Sequence, residues 1–505
     1  MCGIAGIWGA AEEAAVREMM GRVAHRGPDA EGVHVAGGGV LGHKRLSIMD
    51  PAGGDQPILN EDGTGAIVAN GEIYNFPRLR PDLEKTHTLS TTSDSEAILH
   101  LYEDRDMGAV RALDGMFAFA IAADGQLYLA RDPIGIKPLY YGERSHNGSG
   151  TSLVFASELK ALTGLADNVR EFPPGTCYRS DSGFVPYYQV PSLEPRDWDE
   201  AQHLANVRQT LEESVAKRMM SDVPVGAFLS GGLDSSLIAV MMRTHVEELH
   251  TFSVGIEGSR DLAAARVVAR HLGTIHHEYL ITPEEVVEKL PEIIYHLESF
   301  DQDLVRSAIP CYFCSRLAAE HVKVILTGEG ADELFAGYTY YKDIDDHGAL
   351  HDELRRSVAS LHNINLQRVD RLTMAHGLEA RVPFLDLAMI EVGQTVPASL
   401  KLRPDGSGKP VEKWVLRQAC RDLLPAEIIW RDKEQFDEGS GTVDLLTETL
   451  AEHIDGAVDA EYRQRCAEDQ LRSAEEAYFH KVLTDSFSAP EAVLANVGRW
   501  SHRQT

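Results

Sequence analysis

The chain has 505 residues, 43% hydrophobic and 25% charged, with a formal net charge of −30. That length exceeds one ordinary core and predicts two or three domains, while the acidic balance argues against nonspecific nucleic-acid or anionic-membrane binding and leaves room for a local phosphate pocket. No apolar run approaches the roughly 20 residues of a membrane span, no basic-then-apolar leader opens the chain, and six cysteines at this length do not form a disulfide framework, so the expected home is a reducing cytoplasm.

The first informative residue is Cys2, in the opening Met1-Cys2-Gly3-Ile4-Ala5-Gly6. Removal of the initiator methionine would place its thiol beside a free α-amine, whose pKa of about 7.7–8.0 lets it serve as general base for its own side chain. Short β-prone runs with glycine-rich turns continue to about residue 190 and predict layered antiparallel sheets. Helical periodicity there is limited to pieces such as 94–102. Three segments accompany Cys2: His43-Lys44-Arg45-Leu46-Ser47-Ile48-Met49, Asn70-Gly71-Glu72-Ile73-Tyr74-Asn75 and Thr92-Ser93-Asp94-Ser95-Glu96. Attack on a glutamine side-chain amide creates an oxyanion, which the Asn70 amide and the Gly71 N–H can stabilise. Arg45 suits the α-carboxylate of glutamine through a bidentate pair, and Asp94 or Glu72 suits its α-ammonium.

A proline-containing polar stretch at 190–197 reads as a linker. Beyond it, helices alternate with strand-like runs at 223–229, 251–256 and 322–326, which predicts a parallel sheet covered by helices. The first run leads into Ser230-Gly231-Gly232-Leu233-Asp234-Ser235-Ser236 and a helical stretch over 237–243. A strand, a glycine turn and a helix N-terminus make an anion site. After a second strand comes Thr327-Gly328-Glu329-Gly330-Ala331-Asp332-Glu333. Both loops would lie at the carboxyl ends of parallel strands, where such sheets bind ligands. Asp234 and Asp332 are then candidate Mg²⁺ ligands beside phosphate oxygens. From about residue 350 the pattern is mostly helical.

These segments carry two resemblances. The N-terminal set, with His25-Arg26-Gly27-Pro28-Asp29, resembles the class II glutamine amidotransferases, which implies an αββα N-terminal nucleophile fold. The Ser-Gly-Gly loop looks like the pyrophosphate loop (PP-loop) of ATP pyrophosphatases. Joined with Gly377-Leu378-Glu379-Ala380-Arg381-Val382-Pro383-Phe384-Leu385-Asp386 and Lys433-Glu434-Gln435-Phe436, the whole is similar to the glutamine-hydrolysing asparagine synthetases. The expected architecture is α/β and α+β: a glutaminase domain over 2–190, a linker over 191–200, and a doubly wound PP-loop synthetase domain with a helical end over 201–505. The resemblance implies catalytic roles for Cys2, Asn70, Gly71, Glu329 and Lys433. It implies glutamine binding by Arg45, Leu46, Ser47, Ile48, Met49, Asn70, Gly71, Glu72 and Asp94. ATP would be held by Leu229, Ser230, Gly231, Gly232, Asp234, Ser235, Ser236, Val254, Thr327 and Gly328. Arg306, Glu329, Asp332, Arg381 and Lys433 would hold the substrate or the adenylated intermediate. ATP and Mg²⁺ are the expected cofactors, glutamine and aspartate the other ligands, and a homodimer the family's assembly.

One segment departs from the pattern. Where some of these synthetases carry two threonines before the arginine of Arg306, this chain has Asp303 and Leu304. That is either subgroup variation or the mark of a different acyl acceptor. A non-catalytic regulatory protein would need no complete chemical set, so Cys2, Asp234, Asp332 and Lys433 together argue against it. Cys311-Tyr312-Phe313-Cys314 offers two ligands where structural zinc usually wants four, so helix packing is expected. The 21 histidines show no metal-ligand spacing, His276-His277 reads as structural, and Trp430 as packing.

Overall fold

The computed structural model describes residues 2–146, 150–434, 436–442, 449–450, 454, 458, 460–465 and 467–500. Gln435 of the Lys433 run and Cys466 fall outside them. The first half builds two six-stranded sheets from β1 (Cys2–Trp8), β2 (Ala30–Ala36), β3 (Gly39–Arg45), β4 (Ile58–Leu59), β5 (Ala66–Ile73), β6 (Gly115–Ala123), β7 (Gln126–Arg131), β8 (Tyr140–His146), β9 (Gly150–Ala156), β10 (Asp167–Glu171), β11 (Thr176–Arg179) and β12 (Gly183–Pro186). One sheet has the order β10-β8-β9-β1-β3-β2 and the other β12-β11-β7-β6-β5-β4, with antiparallel pairing. Ile4, Leu41, Val68, Ala120, Leu129 and Phe155 fill the space between them. Helix α1 (Glu13–Arg22) covers the first sheet through Val16, Met19 and Met20. Helices α2 (Phe76–Leu83) and α3 (Asp94–Arg105) cover the second. The result is the expected αββα stack. It also explains why β6 reads as an unbroken apolar run rather than an alternation, since both of its faces are buried.

No regular element occupies 187–199. Helix α4 (Glu200–Arg218) then starts on a capping box, Asp199 with Gln202. The second half is built on β13 (Val225–Phe228), α5 (Leu233–Met242), β14 (His250–Gly255), α6 (Arg260–Leu272), β15 (Ile275–Leu280), α7 (Pro283–Leu297), α8 (Gln302–Ala319), β16 (Val324–Leu326), α9 (Ala331–Phe335), α10 (His347–Ala359), α11 (Asn365–Met374) and β17 (Glu379–Arg381). The sheet order is β15-β14-β13-β16-β17, all parallel. The order reverses at β13 and β16, so the loops leaving those two strands open into one crevice. Helix α5 begins a turn earlier than its periodicity indicated, because Gly232 takes the N-cap. Strand β17 is too short for any period to reveal it.

The two halves share a core. Leu46, Ile48, Tyr74, Met116 and Ile136 from the first pack in one cluster with Val215, Leu361, Val382, Phe384 and Leu385 from the second. The interface is therefore continuous with the interior of both halves.

Two candidate active sites

Cys2 lies at the start of β1, 7% exposed and opposite Arg45 of β3. Its N–H donates to Asn70 Oδ1 at 2.9 Å, which brings the first and fifth strands, in different sheets, to one point. Asn70 is fully buried and its Nδ2 has no hydrogen-bond partner among the described residues. A buried amide donor left without an acceptor is costly, and an oxyanion would satisfy it. Gly71 has φ +151°, and a Cβ there would lie 2.0 Å from the Met116 carbonyl, so only glycine fits. Burial pushes the Cys2 thiol above its ordinary pKa.

The remaining glutaminase candidates have partners of their own. Arg45 donates from Nη1 to Asp55 at 2.6 Å and from Nη2 to the Asp50 and Met49 carbonyls at 2.6 and 3.2 Å. It thereby braces the loop that carries Leu46, Ser47, Ile48 and Met49. Asp94 accepts the Ile73 N–H at 2.6 Å. Burial pushes its carboxyl up to about 6. Glu72 is also raised, by burial and by the Glu379 and Asp94 carboxylates.

The second site is the crevice beyond β13 and β16. Leu229, Ser230, Gly232, Asp234, Ser235, Val254, Thr327, Gly328, Glu329, Asp332 and Lys433 line one cavity. The Ser230 N–H donates to Ser235 Oγ at 3.2 Å and the Gly232 N–H to Ser230 Oγ at 3.3 Å, which ties the loop to the first turn of α5. A Cβ on Gly328 would meet Asp234 Cβ at 2.7 Å, so glycine lets the two loops touch. Gly231 and Ser236 are part of the loop and helix but do not line the cavity. Gly231 turns against Ala264 and Ala265, and Ser236 is fully buried.

Lys413 was not among the residues expected. Its Nζ lies 2.5 Å from Asp234 Oδ2 and 2.6 Å from Asp332 Oδ1, and Lys433 Nζ lies 2.8 Å from Asp332 Oδ2. Two ammonium groups and two carboxylates thus meet at the helix N-terminus. Burial alone would raise Asp332, but Lys413 and Lys433 hold it well below the carboxylate range. Asp234 Oδ1 is buried without a hydrogen-bond partner among the described residues. An ionised carboxylate and an orphaned oxygen fit a hard cation, and the lysines and loop N–H groups fit phosphate. Sequence gave no signal for Lys413. It sits in a left-handed backbone conformation, φ +54°, which only the folded chain displays.

Two predicted substrate residues are elsewhere. Arg306 of α8 is paired with Glu475 at 2.5 Å. Arg381 of β17 is fully buried at the junction of the halves. Its Nε donates to Glu379 at 2.6 Å, its Nη1 to the Arg218 carbonyl at 2.7 Å, and its Nη2 lies 3.5 Å from Glu72. It backs the Cys2 site through Glu72 and does not line the cavity beyond β13 and β16. Glu329 is bonded to Arg368 of α11, and burial pushes its carboxyl up despite that partner. Cys311 and Cys314 line the same cavity as free thiols. Trp430 is 45% exposed and does no core packing.

One residue links the sites. Arg26 donates from Nε to the Cys2 carbonyl at 3.0 Å and from Nη1 to Asp370 of α11 at 2.7 Å. Two residues earlier on α11, Arg368 holds Glu329.

Comparisons with known proteins agree with this arrangement. The Asparagine synthase family model matches residues 206–348 and 342–499, and that of the Glutamine amidotransferase domain matches residues 1–177. A Dictyostelium discoideum protein named probable asparagine synthetase [glutamine-hydrolyzing] is 38% identical, covering 99% of this chain and 96% of that protein. Arabidopsis thaliana asparagine synthetases [glutamine-hydrolyzing] 2 and 3 are 39% and 40% identical, each covering 98% of this chain and 89% of the relative.

Proposed function

The chain belongs to the asparagine synthase family, and from that premise we propose that it makes L-asparagine from L-aspartate, glutamine and ATP through a β-aspartyl-AMP intermediate. The observation that carries this is the convergence of Asp234, Asp332, Lys413 and Lys433 on the Ser-Gly-Gly loop, in a chain whose Cys2 meets Asn70. In our reading the glutaminase unit is set at 2–190, the linker at 191–200 and the synthetase unit at 201–505.

In the first half, removal of Met1 frees the Cys2 α-amine. The thiolate attacks the glutamine amide carbon, the amine takes the thiol proton, and Asn70 Nδ2 with the Gly71 N–H holds the oxyanion. The protonated α-amine returns its proton to the amide nitrogen, ammonia leaves, and water hydrolyses the thioester to glutamate. Leu46, Ser47, Ile48 and Met49 shape the glutamine pocket on the loop that Arg45 braces, with Asp94 or Glu72 on the α-ammonium. In the second half, the aspartate β-carboxylate attacks the α-phosphorus of ATP and pyrophosphate departs. Lys413 and Lys433 hold phosphate charge, and Asp234 and Asp332 would hold Mg²⁺, which supplies neutralisation of the leaving group. Ammonia then attacks the acyl carbon, AMP departs, and Glu329 takes the excess proton. Bulk water would protonate ammonia, so an internal passage across the interface completes the scheme. A homodimer is the assembly the family resemblance implies.

A second reading keeps the chemistry and changes the acid. Asp303 and Leu304 line the cavity, and Arg306 is turned to Glu475, which favours a carboxylic acid other than aspartate. Mass spectrometry of products from MgATP, amide-¹⁵N-glutamine and aspartate separates the two. Labelled asparagine with AMP and pyrophosphate supports the first. Glutamate without asparagine overturns it and selects the second.

A further inference from the structure

Three histidines far apart in sequence meet at the edge of the parallel sheet. His250 opens β14, and His277 lies in the neighbouring edge strand β15, where Phe252 is its register partner. Alternation puts His250, Phe252 and His277 on one face. His321 follows the end of α8 and reaches the same face, its ring 3.9 Å from that of His277 and 5.8 Å from that of His250. His250 Nδ1 is 3.0 Å from His277 Nε2. One ring nitrogen from each residue lies within 4.8 Å of the other two.

We propose that His250, His277 and His321 form a three-histidine site for a borderline divalent transition metal, Zn²⁺ foremost. The sequence reading missed it because its ligands come from two parallel strands and a helix end, with no local spacing to betray them. Tetrahedral Zn²⁺ with Zn–N of about 2.0–2.1 Å needs ligand nitrogens roughly 3.3–3.4 Å apart; the rings now stack and His250 and His277 hydrogen-bond to each other, so an ion would replace that bond and turn the rings to point their nitrogens at it. Three imidazoles are the donor set of an open zinc site with water in the fourth position, and the set excludes Mg²⁺ and Ca²⁺, which want oxygen. His321 is exposed and the other two are half-buried, so an ion and its water have access.

The bland alternative is a set of histidines satisfied by acids. Among the described residues, none of the three has a carboxylate within 4.0 Å. The chain's other histidine cluster behaves differently. His100 Nδ1 is 2.7 Å from Glu103 and His87 Nε2 is 3.1 Å from Asp104, and Glu96 and Glu103 raise His100 although burial opposes them. Those rings already have carboxylate partners in a hydrogen-bonded network. A metal on the triad would clasp the edge strand β15 to β14 and the end of α8. Phe252, which stacks on His277 at 5.1 Å, also lines the nucleotide cavity, so the clasp lies one side chain from that cavity.

The test uses the full chain, stripped with chelator and dialysed. Co²⁺ is added with the visible d–d spectrum recorded, and Zn²⁺ is added in a calorimeter. The expected result is one equivalent of Co²⁺ with an intense tetrahedral spectrum, displaced by Zn²⁺. His277→Gln and His321→Ala should each weaken binding by more than about 100-fold, the upper range for losing a mere supporting partner. His87→Gln should bind as the parent does. His321 is exposed, so its variant keeps the fold, checked by near-ultraviolet circular dichroism. Absence of saturable one-equivalent binding, an octahedral spectrum, or binding that survives in both triad variants would overturn the site.

Discussion

Cys2 and Asp94 show how single side chains are set by their surroundings. Cys2→Ala should lower glutamine-supported synthesis by more than about 10³-fold, as loss of a nucleophile does, yet leave synthesis from ammonium salts within about twofold. A folded variant that loses both would refute the two-site scheme. Asp94 carries a carboxyl raised to about 6, chiefly by burial, against an unfolded value near 3.9. Between those values the folded state binds more protons than the unfolded one. Stability therefore falls as pH rises from about 4 to about 6, and stays lower above. Asp94→Asn should remove that slope and raise stability at neutral pH by up to about 3 kcal/mol, while costing glutamine turnover. Urea midpoints measured across this range check it. An unchanged slope would show that the carboxyl is not buried as described.

At the scale of elements, α11 joins the two chemistries. Its Arg368 holds Glu329 in the cavity beyond β13 and β16, and its Asp370 holds Arg26, which holds the Cys2 carbonyl. Burial works to raise Asp370, but Arg26 and Lys137 keep it below its ordinary pKa, hence charged. A rigid helix with a site at each face is a physical connection. Asp370→Asn keeps the shape and removes the charge. It should lower glutamine-supported synthesis relative to ammonia-supported synthesis by about tenfold, equivalent to roughly 1.4 kcal/mol of lost charge-assisted bonding. Parallel decline of both reactions would show that α11 contributes stability alone.

At the scale of the molecule, ion pairs cross the seam between the halves. Asp370 accepts from Arg26 at 2.7 Å, and Lys160 lies 3.0 Å from Glu298. Glu171 of β10 is 2.7 Å from His362 and 2.7 Å from Arg131. Burial favours protonation of Glu171, yet His362 and Arg131 hold it at about 2. A carboxyl with a depressed folded value stabilises above its unfolded pKa of about 4.3 and loses that contribution as pH falls toward 2. The docked halves should therefore loosen on acidification below about pH 4. Glu171→Gln should flatten the acid limb of the stability curve by up to about 3 kcal/mol, read from urea midpoints between pH 2 and 5. No change in that limb would place the acid sensitivity elsewhere.

The sequence by itself determined the chemistry that is local in the chain. The Ser-Gly-Gly loop before α5, the Asn70-Gly71 pair and the strand-rich first half followed by alternating elements were all legible, because turns, caps and periodicity depend on neighbours a few residues away. Tertiary structure decided what depends on distant partners. It brought Lys413 onto Asp234 and Asp332, turned Arg381 toward Glu72 and Arg306 toward Glu475, and gathered His250, His277 and His321 at one sheet edge. A side chain's partner tens to hundreds of residues away is set by strand order and burial of the whole core, and no local spacing encodes it.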